Sequence, residues 1–133
     1  MSRVRVMHVL PLLAFLACAS NGIEPEDLIG TWGTDGFSLI VRESDTEIRV
    51  NCGGAILPTS LRFDSEGRFS HAFEMTYAGG APPREGQSNV TRRPARINGR
   101  VSGAFLPLDL IVDDNSQRFV LRKGVEGTTY ICP

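Results

Sequence analysis

Three cysteines and two histidines carry most of the chemistry open to this chain. Cys18 closes an apolar stretch, residues 9–17, that follows Arg3 and Arg5. A cysteine placed there, after the small residue Ala17, can take acyl chains and become a new N-terminus on cleavage. Several such chains hold a protein on a membrane where one does not. With Cys18 set aside, Cys52 and Cys132 remain as an even pair. An exported chain meets oxidising surroundings, in which such a pair is expected to form a disulfide, with two separate buried thiols as the alternative. His8 falls in the leader, so His71 is the histidine of the body. It lies between Phe69 and Phe73, where an imidazole can serve as a general base, as a polar anchor in an apolar pocket, or as a packed side chain with one nitrogen bonded. No nucleophile elbow accompanies it, so no Ser-His-Asp triad is specified. No close cysteine pair joins it, so no metal site is expected. The chain is read as non-enzymatic and free of cofactors.

The leader has a positive start, then an apolar run of about nine residues, well short of the roughly 20 that a membrane-spanning helix needs. Residues 1–17 are read as a signal peptide. Phe15-Leu16-Ala17-Cys18 resembles a bacterial lipobox. The rival reading is cleavage at Ala17-Cys18-Ala19, giving a free secreted or periplasmic chain from Ser20. Residues 18–28 are then a lipidated cysteine and a short polar tether, and residues 29–133 a single domain. The expected address is the bacterial cell envelope. Ala19, in place of the aspartate that retains enteric lipoproteins at the inner membrane, favours the outer membrane.

Composition fits one globular core, with 41% hydrophobic and 22% charged residues. The formal net charge is −1, and loss of Arg3 and Arg5 makes the mature chain more acidic. That balance argues against nucleic acid as a partner. Glu43, Asp45 and Glu47 lack the glycine and spacing of a calcium loop and read as a solvated turn. Arg92, Arg93, Arg96 and Arg100 form a basic stretch. It suits an acidic partner or lipid headgroups, or a solvated strand face paired with carboxylates.

The elements that must position these groups are short strands. Residues 37–43, 46–52 and 68–78 alternate apolar and polar side chains, the last with Phe69, His71, Phe73, Met75 and Tyr77 on one face. A weaker strand is predicted at 57–63, and further strands at 90–97, 100–112, 118–123 and 128–132. Gly53-Gly54 reads as a turn or bulge. Residues 79–89 form a loop containing Pro82, Pro83 and Arg84. Asn98-Gly99 reads as a hairpin turn, Gly103 as a bulge and Pro107 as an edge or bend. About eight strands joined by short turns predict an all-β antiparallel meander closed into a small barrel, with a two-sheet sandwich as the alternative.

Gly30, Thr31 and Trp32, within "IGTWG" (29–33), resemble the start of lipocalin-like barrels, where the tryptophan plugs the closed end. That resemblance implies a small apolar ligand in a cavity lined by Phe69, His71, Phe73 and Met75. Across residues 29–133 the chain looks like a group of uncharacterised bacterial exported small β-barrel proteins. They share the Gly-Thr-Trp-Gly start, a strand ending in cysteine, a Gly-Gly-x-Pro loop and a terminal cysteine, and they carry no known activity. Ser102-Gly103-Ala104 and Lys123-Gly124 resemble the two motifs of bacterial lipoprotein inhibitors of lysozyme. This implies instead a protein partner, such as an envelope or extracellular hydrolase, met by Ser102 and Lys123; the Pro82-Pro83-Arg84 loop, a long loop on a rigid barrel, is a further surface for the same contact.

Overall fold

A computed structural model of the chain describes residues 28–79, 84–86 and 88–132. Cys18, Pro82 and Pro83 lie outside the described residues, as do the signal peptide and most of the tether. Eight strands follow one another: β1 (Gly30–Thr34), β2 (Phe37–Val41), β3 (Thr46–Val50), β4 (Gly53–Leu57), β5 (Arg68–Ala78), β6 (Val90–Arg100), β7 (Phe105–Val112) and β8 (Asn115–Lys123). Each pairs antiparallel with the next. β8 returns to β1 through Trp32↔Lys123 and Gly33↔Arg122, so the sheet closes into a barrel and the sandwich alternative falls away.

Alternation decides which side chains fill the barrel. On β5, Phe69 and Met75 are buried, while Arg68 before them and Ser70, Ala72 and Glu74 between them are exposed. The same period puts Phe37, Leu39, Ile48, Ile97, Leu106, Leu108 and Leu121 inside, each at most 1% exposed. Burying each large apolar side chain contributes about 1.5–3 kcal/mol. Trp32 is fully buried near the end where the chain enters. Its Nε1 donates to the Leu28 carbonyl at 2.9 Å, and Lys123 Nζ lies 5.6 Å from its ring centroid.

One seam is thin. β4 and β5 pair only at Gly53↔Tyr77 and Gly54↔Thr76. Residues 58–67 cover the gap that follows: Leu61 is buried and Phe63 packs edge-on against Phe69 at 5.5 Å. Thr46, fully buried on β3, secures this cover. Its Oγ1 donates to the Thr59 carbonyl at 3.0 Å and accepts from the Leu61 N–H at 3.1 Å.

After β8 the chain reverses at Gly124, whose N–H donates to the Thr31 carbonyl at 2.7 Å, and runs as a strap over the outside of β1 and β2. Gly127 N–H donates to Ser38 Oγ at 2.7 Å, and Gly36 N–H to the Thr128 carbonyl at 2.8 Å. The strap ends in a disulfide between Cys132 and Cys52, with Cα atoms 4.7 Å apart, as the cysteine count predicts. Backbone meets backbone where it crosses: a Cβ on Gly33 would strike Gly127 N, and one on Gly127 would strike the Phe37 carbonyl.

Several sequence expectations differ from this. Residues 128–132 belong to the strap and not to a ladder strand, whereas Gly30–Thr34 is a full strand. Gly53-Gly54 opens β4, and the turn is Asn51-Cys52, with Cys52 at φ 64°. Residues 58–63 are irregular, because the barrel seam parts there. Asn98-Gly99 lies within β6; Gly99 faces the Phe69 ring, where a Cβ would have no room, and the chain turns at Gly103 (φ 60°) instead. Pro107 marks no edge: it sits within β7, opposite Val120.

Candidate binding surface at the open end of the barrel

Three turns gather at the end of the barrel away from Leu28: Asp35-Gly36, Asn51-Cys52 and Asp113-Asp114. The strap arrives beside two of them. Thr128 Oγ1 donates to Asp35 Oδ1 at 3.1 Å, Tyr130 N–H to Asn51 Oδ1 at 3.2 Å, and Cys52 N–H to the Tyr130 carbonyl at 2.9 Å. The turns therefore hold the strap alongside the disulfide, and the strap leaves Tyr130 64% and Ile131 96% exposed.

Two cavities flank this strap end and share Val50 and Tyr130. The first is the barrel mouth, about 390 Å³, rimmed by Asp35, Asn51, Tyr77, Gln117 and Tyr130 over Leu110 and Phe119. The second is an outer groove of about 410 Å³ between strap residues Thr129, Tyr130 and Ile131 and the β3–β5 residues Val50, Gly54, Thr76 and Ala78. Its walls are chiefly apolar, and Cys52 and Cys132 are part of them. Volumes of this size suit a small organic ligand.

Tyr77 is the titratable group on the mouth's rim with a displaced pKa. Burial pushes its phenol up and Asp113 adds to this, while Arg93, 5.8 Å from the ring centroid, opposes it. Arg93 also lies 3.4 Å from Asp113. Glu43, Asp45 and Glu47 lie at or next to the β2–β3 turn as expected, at the other end of the barrel from the mouth, where Glu47 receives Arg42 at 2.8 Å and Arg49 at 2.6 Å. Among the described residues, no three His, Cys, Asp or Glu side chains gather as a metal site.

The four residues expected to line a ligand cavity share the inward face of β5, yet none lines the mouth or the groove. Phe69 and Met75 are core, and Phe73 is half-buried against it. His71 is half-buried opposite Ile97. Of the residues expected to meet a partner, Arg84 is exposed in the loop before β6. Ser102 is exposed in the β6–β7 turn, next to Lys123, whose backbone N–H donates to the Ala104 carbonyl at 2.8 Å. The Ser-Gly-Ala and Lys-Gly motifs thus lie side by side, and Arg84 is not with them.

Sequence reasoning passed over Tyr130 and Ile131, because "TTYIC" alternates like a buried strand. A signal for the strap lay in the small residues Gly33, Ser38 and Gly127, which let a second layer of backbone approach the sheet. No family model, curated protein or solved structure matches this chain.

Proposed function

We propose that this protein is an exported, lipid-anchored component of a bacterial envelope, at the outer membrane, with a non-catalytic barrel. The barrel takes a small apolar ligand at its open end and not in its interior. The observation that carries this reading is the apolar groove of about 410 Å³ beneath the strap end, beside a barrel whose inward face is packed with side chains. Tyr130 and Ile131 supply the apolar cover, and the mouth beside them supplies polar orienting groups. The test is titration with N-phenyl-1-naphthylamine. Ala78→Trp, which fills the groove, is expected to weaken probe binding about tenfold or more, while His71→Ala leaves it unchanged. Equal binding by the Ala78→Trp variant would refute the site.

A protein partner is the second reading, supported by the adjacency of the Ser102-Gly103-Ala104 turn and Lys123. An inhibitor of an envelope or extracellular hydrolase would present these motifs together. Inhibition of a lysozyme that is abolished by Ser102→Ala would favour it over the ligand reading.

A further inference from the structure

The outside of the last four strands is basic although the chain as a whole carries a formal net charge of −1. Arg68 on β5, Arg92, Arg96 and Arg100 on β6, and Arg118 and Arg122 on β8 alternate with the inward residues and are all exposed. Glu74 and Asp109 are the acidic residues of that outward set. Three of the six arginines have carboxylate partners: Arg118 on Asp109 at 2.9 Å, Arg68 on Glu66 at 2.9 Å and Arg92 on Glu74 at 3.8 Å. The other three are less compensated. Arg96 reaches Ser70 Oγ at 3.0 Å and Arg100 Nε donates to the Glu66 carbonyl at 3.2 Å; the nearest carboxylates act from farther off, Asp64 on Arg100 and Asp113 and Asp114 across a shared depression from Arg96. Arg122 makes no ion pair with a described residue.

Apolar side chains stand between these guanidiniums. Phe105 is 51% exposed opposite Arg122, and Val120 is 53% exposed opposite Pro107. A depression of about 320 Å³ beside them is lined by Arg68, Asn98, Arg100, Pro107, Asp109 and Arg118. Guanidinium groups around a shallow hollow match phosphate oxygens. Exposed aromatic and aliphatic side chains among them match the boundary between headgroups and acyl chains.

We infer that this face of β5–β8 rests on the phosphate-bearing, anionic surface of a lipid bilayer, with Phe105 and Val120 entering the interface. Charge complementarity supplies the attraction, and the interleaved apolar residues favour a bilayer over an acidic protein. The inference is separate from ligand binding at the open end, and it holds with or without an acyl group on Cys18. With one, the nine residues 19–27 reach at most about 30 Å, which keeps the domain beside its membrane.

The test uses the exported protein carrying Phe105→Trp, with vesicles of brominated phosphatidylglycerol or brominated phosphatidylcholine. The native Trp32 is fully buried and serves as an unquenched internal reference. Quenching at position 105 reads contact of this face whether or not the protein is also anchored. Strong quenching is expected on phosphatidylglycerol, diminished by salt, and little on phosphatidylcholine. The added triple change Arg96→Ser, Arg100→Ser and Arg122→Ser should raise the anionic lipid needed for half-maximal quenching roughly a hundredfold. Removing Arg42, Arg49 and Arg62, which lie outside β5–β8, should not. Equal quenching on both lipids, equal loss in the two triple variants, or binding to polyglutamate without quenching on vesicles would each overturn the inference.

Discussion

Gly127 of the strap crosses Gly33 of β1 with main chain against main chain, and neither position has space for a methyl group. Ser38, only 1% exposed on the outer face of β2, is buried because the strap lies over it and bonds its hydroxyl.

Gly127→Ala is therefore expected to lift the strap. The cost of overpacking at such a site is about 1–3 kcal/mol. Thermal unfolding would read this as a lower Tm, and amide exchange would show faster exchange at Gly36 and Gly127. Gly103→Ala, in open space but at positive φ, should leave the strap amides protected.

The disulfide joins residues 80 apart in sequence. Paired Cys52→Ser and Cys132→Ser replacement should lower stability by roughly 2–4 kcal/mol. Because these cysteines also wall the groove, the double variant should lose N-phenyl-1-naphthylamine binding under conditions where circular dichroism still reports a folded barrel.

Thr46→Val keeps the shape of a fully buried side chain but removes both hydrogen bonds to residues 58–67. Leaving the Leu61 N–H unpaired should cost about 1–3 kcal/mol. Denaturant unfolding is expected to show it, and limited proteolysis should cut first within 58–67.

Glu47 sits below its ordinary value of 4.5, held there by Arg42 above all and then by Arg49. A depressed folded pKa stabilises the protein above the unfolded value, and that stabilisation disappears as pH falls through the folded one. Stability should thus decline below about pH 4.5, and Glu47→Gln should flatten that part of the profile. Calorimetry across the acid range measures both. Asp109, depressed by Arg118, should behave alike in a side-chain NMR titration.

The barrel was legible in β5, where strict alternation names the inward set Phe69, His71, Phe73, Met75 and Tyr77 without any tertiary knowledge. The buried place of Trp32 was readable from the resemblance of its motif to the start of lipocalin-like barrels, and the pairing of Cys52 with Cys132 from simple counting. Local signals misplaced Asn98-Gly99, because a dipeptide that favours a tight turn also fits a strand where a facing ring, that of Phe69, leaves no room for a side chain. The open-end surface was hidden for a different reason. Tyr130 and Ile131 owe their exposure to a path across β1 and β2 that depends on contacts nearly a hundred residues away, Thr128 with Asp35 among them.

The sulfur bond encloses β4 to β8 in a covalent hoop, while the β1–β2 hairpin lies clamped under the part of that hoop which crosses it. Such a latch has a preferred order of assembly. The hairpin has to be seated before the latch shuts, since afterwards it could enter only by threading beneath a fastened cord. Oxidation that runs ahead of folding would lock the hairpin out, so oxidative refolding should reward a delay between removing denaturant and adding oxidant.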